Sequence, residues 1–307
     1  VTEVIGAGAV VTNDVSVTFG PLVSGSNYVL QYRASLTTGD WVTITNRIGA
    51  GEASATLTHT NGVGDFGYYR VLGVTGPSAQ MWGYARVDRL GSGRLSVVGI
   101  SFLSSNQTLN SLMDPQQFTG DRLVAGSADQ IMMWNAYAQA YINLALYENG
   151  TNKSWKPVKG FPTSTATNPV LPAGSAVWIR GVAAGDRKVI AAGEVVQARA
   201  ATNAIVRGLQ LIANPFSDMV GLNDLTLFDF ATGNKVSAGS ADQIMIWEAG
   251  SQAYVNLACY DNGTSKSWKP VKGFPTSTAT NPVFKPGQGF WYRAVSNDFQ
   301  WIEPKNY

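Results

Sequence analysis

Short runs in which apolar and polar residues alternate recur from one end of the chain to the other. Val15, Val17 and Phe19 alternate with Ser16 and Thr18, the period of a strand with one buried face. Tyr28, Leu30 and Tyr32 do the same against Val29, Gln31 and Arg33. Further strand-like runs follow at 41–45, 53–59 and 68–74, separated by turns such as Thr38-Gly39-Asp40. Strands at this spacing, with no helical period between them, predict a β-sandwich over residues 1–78. Residues 1–12 are apolar and Gly-punctuated. They read either as the first sandwich strand or as a strand given to a neighbour's sheet.

Beyond residue 78 the pattern repeats itself. Shifted by 113 positions, residues 125–170 fall on 238–283, and eight of those 46 pairs differ: 133/246, 135/248, 137/250, 138/251, 142/255, 146/259, 148/261 and 152/265. The stretch 153–170 returns unchanged at 266–283, while strand-like positions such as 133/246 and 142/255 drift. The match fades outside this block but persists, as in Leu109-Asn-Ser-Leu112 against Leu222-Asn-Asp-Leu225. Six of the nine Trp residues form equivalent pairs, 134/247, 155/268 and 178/291. Two homologous modules are therefore expected, at 79–196 and 197–307.

Within each module the reading is again β. Runs at 131–134 and 140–147 suit strands, and Asn149-Gly150 and Asn262-Gly263 suit hairpin tips. The Pro-rich run 161–172 cannot be a central strand, because proline donates no ladder hydrogen bond. It is expected as a long ordered loop or an edge. Runs at 178–182 and 188–196 close the first copy, and 109–112 and 222–225 suit one helical turn each. The fold class expected is all-β.

Composition agrees. Hydrophobic residues make up 45 %, too many for a disordered chain. Charged residues are 14 %, against a globular norm of about 25 %, so long solvated helices are not expected. Net charge is +2 with no dense basic stripe, which argues against nucleic acid as a partner. No apolar run reaches the ~18 residues of a membrane-spanning helix. Val1 opens without an initiator Met or a signal-peptide pattern, and is read as the start of a mature chain.

Three groups of residues carry a resemblance. Tyr28-Val-Leu-Gln-Tyr-Arg33, Leu36-Thr-Thr-Gly-Asp-Trp41 and Phe66-Gly-Tyr-Tyr-Arg-Val71 resemble a fibronectin-III-like domain of large secreted bacterial proteins. That resemblance implies Trp41 in the core, a closing strand at Tyr69-Arg70-Val71 and a spacer or adhesion role. Downstream, Trp82-Gly-Tyr-Ala-Arg-Val87, Leu209-Gln-Leu-Ile-Ala-Asn-Pro-Phe216 and Pro286-Gly-Gln-Gly-Phe-Trp-Tyr292 are similar to modules of secreted bacterial surface proteins. The first copy departs from that pattern, with Gly99-Ile-Ser-Phe102 and Ala173-Gly-Ser-Ala176 at the corresponding places. The resemblance implies an extracellular, cell-surface location and says little about mechanism.

Catalytic chemistry has few candidates. Asp129/Asp242 and Glu148/Asp261 are the acids of the duplicated block, but they sit beside turns, where Asp commonly serves the backbone. His59 is the one histidine and Cys259 the one cysteine, so neither a His-based set nor a disulfide can form within the chain. Cys259 aligns with Leu146, as a core position would. No enzyme activity, cofactor or metal is expected.

Binding has better candidates. Lys153, Trp155, Lys156, Lys159 and Phe161, with their counterparts Lys266, Trp268, Lys269, Lys272 and Phe274, form one surface presented twice. Trp155 and Trp268 either stack on a sugar face or plug the module cores. A surface repeated along one axis also lets copies associate head to tail into a homo-polymer. Asn106, Asn149 and Asn262 head glycosylation-type sequons, although Asn-Gly turns explain the last two equally well. The sequence therefore favours a structural, self-assembling surface protein, a filament or sheath subunit. The alternative is an adhesin or glycan-binding module.

Overall fold

A computed structural model describes residues 4–11, 14–61 and 64–307. The protein is all-β apart from two single helical turns and a few 3-10 turns. Among the described residues no helix is long and apolar enough to cross a membrane.

The N-terminal part holds β1 (Val4–Val11), β2 (Asp14–Gly20), β3 (Asn27–Arg33), β4 (Val42–Ile48), β5 (Ala55–His59), β6 (Phe66–Gly73) and the short β7 (Gly76–Pro77). β1, β2 and β5 form one sheet, and the chain's own β2 pairs with β1 along Val4–Val11. The alternation read at 15–19 is real: Val15, Val17 and Phe19 are buried and face Tyr28, Leu30, Tyr69 and Val71 of the opposing sheet. Trp41 does not join this core. It is half-buried, with the Arg70 guanidinium 4.4 Å from its ring.

The first module contributes β8 (Trp82–Arg89), β9 (Leu95–Gly99), β10 (Phe102–Leu103), α1 (Leu109–Leu112), β11 (Gln130–Asn135), β12 (Ala140–Asn149), β13 (Asn152–Pro157), β14 (Ala176–Arg180) and β15 (Arg187–Val195). β13-β12-β11-β14-β9 form a five-stranded sheet. β8 and β15 do not belong to it. They continue the sandwich sheet, in the order β10-β15-β8-β6-β3-β4. Residue 78 is thus crossed by one hydrogen-bonded sheet with a core on each face. Trp82 and Tyr84 point to the sandwich core, while Ala85, Val87, Val189 and Ala191 point to the core under the five-stranded sheet.

The second module repeats this plan with β16 (Ala200–Ile205), β17 (Gly208–Ala213), β18 (Val220–Gly221), α2 (Leu227–Phe230), β19 (Gln243–Glu248), β20 (Ala253–Asp261), β21 (Lys266–Pro270), β22 (Val283–Phe284), β23 (Gly289–Ala294) and β24 (Phe299–Pro304). Its five-stranded sheet is β21-β20-β19-β23-β17, and β16-β24 stand where β8-β15 do. The helical turn expected at 222–225 is 3-10 at Leu222–Asp224, and the α turn comes after it. Both Asn-Gly pairs sit at hairpin ends, as expected.

The two five-stranded sheets meet through their outer faces. Trp178, Ala176, Leu211, Ala213 and Trp291 are buried there, with Met132, Trp134, Met245 and Trp247 packed around them. Its aromatic contacts and indole hydrogen bonds occur in equivalent pairs. The rings of Trp134 and Trp291 lie 5.1 Å apart and nearly perpendicular, and those of Trp178 and Trp247 lie 5.2 Å apart. Trp134 Nε1 donates to the Leu209 carbonyl at 2.7 Å, and Trp247 Nε1 donates to the Leu95 carbonyl at 2.9 Å. Gln139 Oε1 accepts from Leu209 N, and Gln252 Oε1 accepts from Leu95 N. Ala213 N donates to the Gly174 carbonyl, and Gly99 N to that of Gly287. This reciprocity is that of an isologous dimer, built here inside one chain.

The close approach needs small residues. A Cβ on Gly99 would lie 2.6 Å from the Ala213 Cβ, and one on Gly289 would lie 2.6 Å from the Ala176 Cβ. A buried Trp removes on the order of 150–250 Å² from water, which at about 25 cal/mol per Å² exceeds the roughly 0.5–1.5 kcal/mol of a net hydrogen bond. Apolar contact therefore supplies the seam's stability, and the indole hydrogen bonds fix its register. Trp178→Ala is expected to cost about 3–5 kcal/mol in urea unfolding. Tyr137→Ala, at a site 80 % exposed in the β11–β12 turn, is expected to stay within about 0.5 kcal/mol. Equal effects would contradict the seam.

Candidate functional site

Each unchanged loop folds over the outer face of its own hairpin. On β13 the strand period sends Trp155 inward and Lys156 outward, and β21 does the same with Trp268 and Lys269. Trp155 and Trp268 are both 0 % exposed. Trp155 meets Phe118 edge-on at 5.2 Å, and Trp268 lies 6.0 Å from Phe228. Of the two readings of these residues, a sugar-stacking face and a core plug, their burial fits the plug. The indoles plug the two module cores and face no solvent.

Lys156 and Lys269 act as clamps. Lys156 Nζ sits 4.0 Å over the Tyr147 ring and donates to the Pro162 carbonyl at 2.7 Å. Lys269 Nζ sits 3.8 Å over Tyr260 and donates to the Pro275 carbonyl at 2.7 Å. Phe161 and Phe274 pack edge-on against the same tyrosines, and each precedes its proline through a cis peptide. Thr167 N bonds the Trp155 carbonyl, and Thr280 N that of Trp268. The far end of each loop is tied to the short helical turns, because Asn168 Oδ1 accepts from Asn110 N and Asn281 Oδ1 from Asn223 N. Lys153 Nζ donates to the Phe118 carbonyl and Lys266 Nζ to that of Asp229.

Self-packing thus accounts for most of the residues that stay identical. It does not account for those whose side chains point outward. Lys159, Thr165, Ala166 and Val170 are exposed, and so are Lys272, Thr278, Ala279 and Val283. Val170 and Val283 are 61 % and 52 % exposed, large apolar groups that burial does not explain. The two loops are therefore a repeated surface related by the seam's internal two-fold. Of the ten side chains expected there, Lys159 and Lys272 are the exposed pair.

The acids of the duplicated block serve the backbone. Asp129 is fully buried and accepts from Thr119 N and Val182 N, each at 2.8 Å. Arg89 completes it with a two-pronged ion pair at 2.7 and 2.9 Å, both side chains 0 % exposed. Asp242 accepts the equivalent bonds from Thr232 N and Val295 N. Its third partner is different: the Tyr292 hydroxyl donates to it at 2.6 Å. Burial, followed by the nearby Asp242 charge, pushes the Tyr292 phenol's pKa up, so the proton stays on the donor. In the first module Ile179 stands at the tyrosine's place, and in the second Ala204 stands at the arginine's. One buried carboxylate is thus satisfied in two ways. Glu148 Oε2 accepts from Gly120 N, which is distant in sequence, and Asp261 Oδ1 accepts from Gly263 N within its own turn.

His59 Nδ1 pairs with the Tyr69 hydroxyl at 2.9 Å, and burial holds its pKa below the usual histidine value. Cys259 is buried, and burial pushes its thiol up to about 12. Neither group is set up to react. Asn106, Asn149 and Asn262 are exposed. The Thr264 N–H donates to Asn262 Oδ1, which makes that sequon an Asx turn, and the Thr264 hydroxyl donates to the same oxygen.

The two aspartates give a test of this reading. Asp129→Asn leaves the buried Arg89 charge without its partner and is expected to cost about 3–5 kcal/mol. Asp242→Asn leaves a neutral phenol behind and is expected to cost about 1–3 kcal/mol. Urea midpoints at a constant slope measure the difference. Equal losses would sink the idea that the two modules satisfy this carboxylate differently. No family model, curated protein or solved structure matches the chain.

Proposed function

We propose that the protein is an extracellular structural subunit that assembles with copies of itself, and that it performs no catalysis. One observation carries this reading: a single body held by the tryptophan seam presents the same exposed loop surface twice. A unit with two equivalent adhesive faces is bivalent. When each face binds a face of the next copy, the association does not close at a dimer and grows into a chain. Further exposed apolar pairs support the same reading, among them Leu123/Val236, Tyr141/Tyr254 and Ile142/Val255. The low charge leaves little long-range repulsion to oppose assembly. The surface location rests on the resemblance to secreted bacterial modules. The alternative of glycan stacking on Trp155 and Trp268 loses support because both are buried.

Bivalency makes a specific prediction. The wild-type protein is expected to grow into long oligomers with rising concentration, seen by sedimentation velocity and electron microscopy. Val170→Glu or Val283→Glu alone removes one face and is expected to stop growth at dimers. The double variant is expected to remain monomeric. A wild-type protein that stays monomeric at every concentration, or a double variant that assembles as before, would overturn the proposal.

A further inference from the structure

The sheet that runs from the sandwich into the first module is only partly covered on its module side. In β3 and β6 one set of alternate residues, Tyr28, Leu30, Tyr69 and Val71, points into the sandwich core. The other set points the opposite way, Gln31 and Arg33 on β3 with Tyr68 and Arg70 on β6. The register pairs Gln31 with Arg70 and Arg33 with Tyr68. β4 adds Thr43 opposite Gln31. Tyr68 lies in the core under the first module, and Trp41 packs at that core's edge. One rung beyond Tyr68 the cover ends. Gln31, Arg33 and Arg70 are half-buried there, and Thr43 is exposed.

Both arginines converge on one indole. The guanidinium carbon of Arg70 is 4.4 Å from the centre of the Trp41 ring, and that of Arg33 is 6.0 Å from it. Each is held in place by a neutral partner. Arg70 Nε donates to Gln31 Oε1 at 2.8 Å, and Arg33 Nε donates to the Thr38 carbonyl at 3.3 Å. Neither arginine joins an ion pair among the described residues. Asp40, beside Trp41 in sequence, is exposed, and Asp65, just before β6, lies 3.8 Å from Lys285 Nζ. Burial, followed by the Arg33 charge, lowers the Arg70 pKa, and no carboxylate offsets the two. Stacking on an aromatic ring uses the flat face of a guanidinium and leaves its in-plane N–H groups available. With both Nε atoms engaged, the terminal nitrogens of both forks remain, without an acceptor among the described residues.

The site is thus fixed in geometry and lacks only its counter-charge. Two like-charged forks side by side match one doubly charged oxyanion better than a monoanion. A carboxylate or a sulfate ester carries a single charge. A phosphate monoester, with its second pKa at about 6, carries close to two, and its oxygens accept paired N–H bonds from a guanidinium. We propose that Arg33 and Arg70 bind one phosphate dianion, free or as a monoester. Gln31 Nε2 and the Thr43 hydroxyl are the neutral donors on the same face, and Trp41 is a positioning residue for the two forks. The sandwich is not duplicated, so the site occurs once per chain. It goes beyond the assembly reading and does not depend on it, since none of its residues belongs to the paired loops.

Titration calorimetry of the full chain at about pH 8, where the phosphate is doubly charged, tests the site. Glucose 6-phosphate and inorganic phosphate are the probes, against glucose 6-sulfate, acetate and glucose. Saturable phosphate binding at one per chain is expected, with the sulfate ester and acetate weaker by about tenfold or more and no binding of glucose. Tighter binding of the ester than of the inorganic ion assigns an esterified phosphate, and the reverse assigns the free ion. Arg33→Gln and Arg70→Gln are each expected to weaken the phosphate probes by about tenfold or more. Arg70→Lys keeps the charge but loses the fork, and is expected to weaken them too. Arg122→Gln, at an exposed arginine of the first module, is expected to change nothing. Circular dichroism melts show whether each variant is folded, and if Arg70→Gln is not, Arg33→Gln and Arg70→Lys supply the reading. The proposal is overturned if the wild type shows no saturable phosphate binding, or if a folded Arg33→Gln or Arg70→Gln variant binds undiminished. An equal loss in Arg122→Gln would show that net charge rather than this site attracts the anion. Glucose 6-sulfate binding as tightly as the phosphate ester would overturn the dianion assignment.

Discussion

Two indoles, Trp134 and Trp247, each leave their own sheet to donate to a backbone carbonyl of the other, and the rest of the molecule is arranged by that exchange. It fixes how the two modules face each other. It also requires Gly99, Ala176, Ala213 and Gly289 where the strands come nearest, because no larger side chain fits between the sheets. Each module's five-stranded sheet is then covered on both faces over its central strands. One face closes the module's own core and the other closes the seam. Two copies of one fold become a single body with an internal two-fold.

The sandwich breaks that symmetry. Because β6 pairs with β8, the N-terminal sheet and the first module share strands, and their cores lie on opposite faces of one sheet. Among the described residues the second module has no such neighbour on β16. The paired loops are therefore common to both halves, while the shared sheet exists on one side only. The same division explains the buried aspartates. Asp129 takes Arg89 from β8, and Asp242, whose ladder offers Ala204 instead, takes Tyr292.

Much of this was legible in the sequence. The alternation at 15–19 marked a strand with one buried face, the Asn-Gly pairs marked hairpin tips, and the proline run marked a loop. The duplication could be read directly. Other features could not, for physical reasons. A period of two says which residues share a face but not what covers that face. Ile131 to Trp134 and Ala176 to Ile179 are nearly continuous apolar runs, the pattern of strands buried on both sides. That was the available signal for the seam, but it does not name the partner sheet. Trp155 sits among lysines in sequence and looked solvated. The strand period places it opposite to Lys156, and only the hairpin register shows that its side is the core side.

Native-state hydrogen exchange of the tryptophan indoles tests the seam most directly. Trp134 and Trp247 donate across it, so their Nε1 protons exchange only when the modules part. The account predicts that both are protected, to a similar degree, with an opening free energy close to that of the core amides on β11 and β19. If both indoles exchange as quickly as exposed ones while those core amides stay protected, the modules are separate bodies on a linker. The internal two-fold, and what has been drawn from it, would then be wrong.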